Sequence, residues 1–143
     1  SNFMKNVEQN SLEEQSQFAW LKKTLKKKHK KDHVIVFLHH PFFLENYGEE
    51  EGYSTLSESI RNKYFSLFDE YGVEFVIAGH LHDNREANHN GIEMVTTSAA
   101  GRQLGTAQPG IRIIQLRKGN ISQQYFTLDQ LPDTRENIIA SFK

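Results

Sequence analysis

The chain has 143 residues, of which 37% are hydrophobic and 24% are charged, so it is long enough for one folded domain and has no composition typical of disorder. Its 17 Lys and Arg residues nearly balance 18 Asp and Glu residues, and a net charge of −1 argues against nucleic acid as a partner. Without cysteine there is no disulfide and no thiolate ligand, and no apolar run approaches the roughly 20 residues of a membrane span. These features leave the compartment undetermined, and of the possible locations we favour the cytoplasm.

The first element is an amphipathic helix. Ser11 and Glu14 have the spacing of a capping box, which predicts a helix from Ser11 to about Lys28. Lysines cover the remaining surface near its end, and we interpret them as a solvated face. The apolar positions of this helix, at helical spacing on one face, are Phe18, Leu21 and Leu25.

The next three elements predict parallel strand pairing. Residues 34–38 are short, apolar and β-branched, which indicates a strand buried on both faces. Residues 54–71 keep helical spacing up to a stop at Gly72, and residues 75–78 form a second buried strand. The order helix, strand, helix, strand favours a sheet covered by helices.

The second half of the chain has a different character. The dipeptides Asn90-Gly91 and Gly119-Asn120 are typical of hairpin turns, so we expect an antiparallel meander followed by a short helix. The flanking strands are predicted at residues 92–97, 111–116 and 121–128, and the helix at residues 131–143.

Histidines follow both predicted parallel strands. His80 and His82 stand after Gly79, whose conformational freedom would let the backbone turn beneath two adjacent imidazoles. His39 ends the preceding strand and is a third candidate metal ligand, since neutral imidazole suits borderline divalent ions. By strand alternation His40 points to the opposite side, as a packed or supporting histidine. We expect no direct function for His29, His33 and His89.

These motifs carry a family resemblance. A strand followed by His39-His40-Pro41, and a strand followed by Gly79-His80-Leu81-His82, resemble the last two motifs of the calcineurin-like metallophosphoesterases. The likeness extends to residues 17–21 and 97–105, and within the family it is greatest to calcineurin-like phosphoesterase domain-containing proteins linked to serine/threonine dephosphorylation. The resemblance implies a hydrolase of phosphate esters that activates water with two metal ions, of Zn, Fe or Mn.

The resemblance also implies roles for individual residues. His39 and His80 would bind one metal ion and His82 the other. Independently of the resemblance, Arg102 stands in a glycine-flanked loop and would either grip the phosphoester substrate through its N–H donors or be an ordinary surface ion-pair residue. His40 is the second candidate substrate contact. A phosphoprotein is one candidate substrate. The acidic loop at residues 42–53 is either a wall that favours basic peptides or a solvated loop.

The family's earlier motifs, Asp-x-His, Gly-Asp-x-x-Asp and Gly-Asn-His followed by Asp or Glu, do not occur in the chain. We therefore expect residues 1–143 to be one partial domain, the C-terminal half of a four-layer α-β-β-α sandwich, with a mixed sheet and helices on its outer face. This chain alone would be inactive, and its partner would be the missing N-terminal half or a second copy. The alternative is a noncatalytic binding domain that keeps the fold without a complete metal centre.

Overall fold

The computed structural model describes residues 2–29 and 32–142 of the chain. The helices are α1 (Asn2–Lys5), α2 (Ser11–Leu25), α3 (Glu58–Tyr71) and α4 (Arg135–Ser141). The strands are β1 (Ile35–Leu38), β2 (Phe75–Ala78), β3 (Arg85–His89), β4 (Ile92–Thr96), β5 (Gly110–Arg117) and β6 (Asn120–Thr127). Among these helices none has both the length and the apolar character needed to cross a membrane.

The strands form a mixed sheet and a separate hairpin. The sheet has the order β1-β2-β4-β3, in which β1, β2 and β4 run parallel and β3 runs antiparallel to β4. The hairpin pairs β5 with β6. The predicted parallel pairing of the first two strands is confirmed, and both predicted turns join antiparallel strands. A continuous antiparallel meander is wrong, because apolar β4 lies inside the sheet beside β2 while polar β3 takes its edge.

Strand alternation divides the core between the two faces of the sheet. Val76 and Ala78 face a core built largely from α3 residues, against which Phe18 and Leu21 of α2 also pack. Phe75 and Ile77 face the other way, toward the β5–β6 hairpin. The molecule is therefore a mixed α/β structure with α2 and α3 on one face of its sheet.

The helix boundaries differ from prediction at their starts. The capping box is wrong: Ser11 lies inside α2, and no side chain caps the first turn. Glu14 is instead buried and accepts two hydrogen bonds from Lys63 Nζ, at 2.6 and 2.9 Å, so this contact with α3 takes the carboxylate away from the helix start. The stop of α3 at Gly72 is confirmed, with φ of 61° at that residue.

Two further boundaries differ from prediction, and the second has a tertiary cause. Helix α2 ends at Leu25, three residues before the predicted end, and α3 begins at Glu58 because the segment before it is held as a loop. In that loop the backbone N–H of Leu56 donates to the carbonyl of Phe42 at 3.2 Å. A short C-terminal helix is confirmed as α4, although Lys143 lies outside the described residues.

Strand β1 is an edge strand rather than a fully buried one. It pairs with β2, and within the described residues its opposite edge has no partner strand. Phe37 of β1 is 67% exposed and Trp20 of α2 is 63% exposed, which leaves large apolar side chains in solvent. Both residues line one small cavity beside this edge, together with Val36 and Leu38 of the same strand.

Candidate metal centre

The parallel pairing of β1 and β2 brings two of the predicted ligands together. Leu38 is in register with Ala78 at the carboxyl ends of these strands, and the N–H of Gly79 donates to the carbonyl of His39 at 3.1 Å. The next residue, His80, places its Nδ1 atom 3.1 Å from Nε2 of His39. The two imidazoles therefore meet at one edge of the sheet, as expected from the strand ends.

His40 belongs to the same group, contrary to the orientation predicted for it. Its ring centre lies 4.9 Å from that of His39 and 4.2 Å from that of His80. The three residues each offer a ring nitrogen, and these nitrogens lie within 4.8 Å of one another. The opposite orientation is wrong because β1 ends at Leu38, so strand alternation no longer governs the next two residues.

The unusual backbone lies at the histidines rather than at the glycine before them. His80 and His82 have φ of 63° and 50°, in the left-handed region that favours glycine, whereas the φ of Gly79 is not in that region. Gly79 does begin the turn, since its carbonyl accepts a hydrogen bond from the N–H of Leu81 at 2.7 Å, but the left-handed backbone lies on the histidines. Non-glycine residues in this conformation are strained and occur often at functional sites.

His82 stands apart from the three-histidine group. Its Nδ1–H donates to the carbonyl of Arg102 at 2.7 Å, so the neutral ring carries its lone pair on Nε2. This is the usual way in which a backbone carbonyl orients a metal-binding histidine. The side chain of Arg102 is exposed on the same loop. The roles predicted for His82 and Arg102 stay predictions.

The local environment disfavours protonation of two imidazoles of the group, those of His40 and His80. Burial, together with the neighbouring His80 and His39, lowers the pKa of His40 to about 4. Burial also lowers the pKa of His80, assisted by His39, His82 and Lys5. A neutral imidazole is the form that binds a metal ion, so proton competition at neutral pH is weak at these two residues.

The donor set fits one borderline metal ion. Two nitrogens bound tetrahedrally to one ion at about 2.0–2.1 Å lie about 3.4 Å apart, close to the 3.1 Å between His39 and His80. His39, His40 and His80 together supply three nitrogens and no carboxylate. A second ion would need donors from outside this group, and His82 is the nearest candidate along the chain.

The acidic loop is largely engaged in its own folding. The carboxylate of Glu49 accepts hydrogen bonds from the backbone N–H groups of Leu44, Glu45 and Asn46, at 2.9, 2.9 and 3.2 Å. Glu51 forms an ion pair with Lys5 at 3.0 Å. These contacts favour the solvated-loop alternative over an acidic wall for basic peptides.

A cavity of about 510 Å³ adjoins the histidine group, and His80 forms part of its wall. Asp83 and Arg85 also line it, and their side chains form an ion pair at 3.0 Å. Part of its wall comes from the loop at residues 42–53, which the sequence offered as a possible wall for basic peptides. The rest was not predicted as a substrate contact, because it comes from separate loops without a shared motif. Its loop residues include Leu44, Tyr53, Ser54, Leu104 and Gly105.

The family of the chain follows from comparison with known proteins. A family model described as calcineurin-like phosphoesterase matches residues 2–84, which include both histidine motifs. Serine/threonine-protein phosphatase CPPED1 of Danio rerio is 41% identical over 101 residues, covering 71% of this chain and 33% of that protein. The Bos taurus protein of the same name is 38% identical, with 71% and 32% covered.

The protein of that name from Homo sapiens is 35% identical over 136 residues, covering 93% of this chain and 43% of that protein. The matched part of the chain thus spans 32 to 43% of the length of these relatives. The chain belongs to the calcineurin-like phosphoesterase family.

Proposed function

We propose that this chain forms part of a metal-dependent hydrolase of phosphoric esters. The observation that carries the proposal is the meeting of His39, His40 and His80 at the carboxyl ends of two parallel strands. Rigid strand ends fix such a group before substrate arrives, and neutral imidazoles are good ligands for Zn, Fe or Mn. Membership of a phosphoesterase family gives this arrangement its reaction class.

The metal centre is proposed to be dinuclear. His39 and His80 bind one ion, His82 binds the other through Nε2, and carboxylates from outside this chain complete both sites. Two adjacent ions in such a centre activate water and neutralise the charge of the phosphoryl group. His40 and Arg102 contact the phosphate in this proposal. Their support is the proximity of His40 to His80 and the hydrogen bond between His82 and the Arg102 carbonyl.

The carboxylates are proposed to come from polypeptide that packs beside β1. The relatives are more than twice as long as this chain, and the open edge of β1 is flanked by exposed Trp20 and Phe37. A parallel strand added at this edge would end beside His39. Residues 1–143 would then be the C-terminal half of a four-layer α-β-β-α domain, inactive without that partner segment.

The proposed substrate is a phosphoester, with a phosphoprotein as one candidate. The relatives are named serine/threonine-protein phosphatase CPPED1. A direct test measures hydrolysis of p-nitrophenyl phosphate by the complete gene product with Mn²⁺ or Zn²⁺. The double substitution His39→Ala and His80→Ala is expected to abolish metal-dependent turnover. Exposed His29 gives the matched control His29→Ala, which should leave turnover unchanged. Full activity in the double variant would contradict the proposal.

The second candidate is a noncatalytic domain that binds a single ion. It is favoured by the composition of the histidine group, which holds three imidazoles without a carboxylate. Metal analysis of the complete gene product separates the two candidates. Two ions per molecule together with turnover support the hydrolase, whereas one ion and no turnover of phosphoserine, phosphothreonine or aryl phosphates supports the binding domain.

A further inference from the structure

The cavity beside His80 has apolar walls made from different loops. Tyr53 is 86% exposed, and its ring centre lies 5.6 Å from that of His80 at an interplanar angle of 38°. Leu104, 65% exposed, comes from the loop before β5, and Leu44 comes from the loop after β1. Large apolar side chains gathered around a concave site favour an apolar ligand group there.

The floor of the cavity is closely packed. Asp83 is buried, and a Cβ atom at Gly105 would lie 2.6 Å from its Cγ atom and 2.8 Å from its Oδ2 atom. Glycine at this position therefore lets the loop that carries Leu104 lie directly on Asp83. Because this contact is formed within the chain, the Leu104 side of the cavity is shaped before a ligand enters.

The charges in the cavity disfavour a second anionic group. Asp83 pairs with Arg85 at 3.0 Å and neutralises the guanidinium. Glu45 adds a further carboxylate to the lining. A ligand that carries a second phosphate or a carboxylate away from the histidine group would therefore meet net negative charge.

We propose that this cavity receives the organic group of the phosphoester and selects aromatic groups over small polyols. The inference rests on the proposed phosphoesterase function, in which the phosphate lies at the histidine group. An aromatic group joined to that phosphate would lie against Tyr53 and Leu104. Aromatic contact with such side chains stabilises a complex beyond the burial of area alone.

The test compares two phosphomonoesters, phenyl phosphate and glycerol 2-phosphate, with the complete gene product. The double substitution Tyr53→Ala and Leu104→Ala is expected to lower kcat/KM for phenyl phosphate by about tenfold, and for glycerol 2-phosphate by less than about twofold. For each ester, kcat/KM of the variant is divided by kcat/KM of the wild type, so the different intrinsic reactivities of the two esters cancel. Leu116→Ala is the matched control, because Leu116 is 55% exposed on β5 and does not line the cavity.

A binding measurement separates this inference from the reaction. Phenylphosphonate and methylphosphonate, which are not hydrolysed, are titrated by isothermal calorimetry or saturation-transfer NMR. Tighter binding of phenylphosphonate that is lost in the Tyr53→Ala and Leu104→Ala variant supports the inference, even if no ester is hydrolysed and the proposed function fails. Hydrolysis with equal losses for both esters, or phenylphosphonate binding that the variant keeps, overturns the inference while leaving the proposed function intact.

Discussion

Nδ1 of His80 lies 3.1 Å from Nε2 of His39, although 41 residues separate them in the chain. The contact exists because β1 and β2 pair in parallel and in register, so their carboxyl ends deliver the two imidazoles to one place. Burial and neighbouring histidines lower the pKa of His80, which limits the cost of holding the two rings together. This separation suits two ligands of one ion, which supports the proposed metal site.

The first prediction concerns metal affinity. The chain is expected to bind one Zn²⁺ ion, and His39→Ala or His80→Ala should weaken binding by about 100-fold or more, since even residues that only orient ligands contribute 10–100-fold. Isothermal titration calorimetry at neutral pH measures the change. His29→Ala is the control. Unchanged Zn²⁺ affinity in both single variants would show that the three-histidine group is not a metal site.

The second prediction concerns the left-handed backbone at His80. Because φ is 63° there, glycine fits the position without strain whereas alanine does not. His80→Gly is therefore expected to be more stable than His80→Ala by about 1 kcal/mol, measured by urea denaturation without metal. Gly79→Ala serves for comparison. Steric strain from this substitution should lower the free energy of unfolding only slightly, because a Cβ at Gly79 meets no atom within 4 Å. Equal stability of the two His80 variants would show that the left-handed backbone at this position does not strain a non-glycine residue.

Sequence reasoning succeeded where the pattern is local. The stop at Gly72, the strand Phe75–Ala78 and the turn at Asn90 depend on few neighbouring residues, and the structure confirms each of them. The meeting of His39 with His80 followed from the predicted parallel pairing, because parallel strands end at one edge of a sheet.

Sequence reasoning failed where distant residues decide the outcome. Glu14 has the spacing of a capping residue. Its carboxylate is instead held by the ion pair with Lys63, which lies 49 positions later in the chain. The orientation of His40 depends on where β1 ends, and strand alternation cannot supply that boundary. The polar strand Arg85–His89 has no apolar alternation, so only its hairpin with β4 reveals it.

The third prediction concerns the open edge of β1. A second copy is the partner available to the chain alone, so we expect concentration-dependent association in sedimentation velocity. The double substitution Trp20→Lys and Phe37→Lys should shift the chain toward monomer, with Leu116→Lys as the exposed control. Trp20 is the only tryptophan, so its fluorescence should move to shorter wavelength as concentration rises. A monomer with a cooperative melt at all concentrations would contradict this edge as an interface.

The last prediction concerns His33, which connects the sheet to the hairpin. Its Nε2–H donates to the carbonyl of Arg117 at 2.7 Å, and its Nδ1 lies 3.1 Å from both carboxylate oxygens of Glu74. Two acceptors around one ring favour the imidazolium, in which both nitrogens carry hydrogen. The bond to Arg117 and then Glu74 raises the pKa of His33. The charged side chains that share its surroundings are Lys28, Asp32 and Lys118.

Because the folded pKa lies above the ordinary value of 6.5, the stabilisation is fully present below pH 6.5 and is lost as pH rises through the folded pKa. His33→Gln removes this dependence, since glutamine does not titrate. The difference in free energy of unfolding between wild type and His33→Gln, measured by urea denaturation from pH 5 to pH 9, should therefore be greatest at the acidic end. His29→Gln controls for loss of an exposed histidine. A difference that stays constant with pH would show that folding does not raise the pKa of His33, and a difference that grows as pH rises would show that the folded state favours the neutral imidazole.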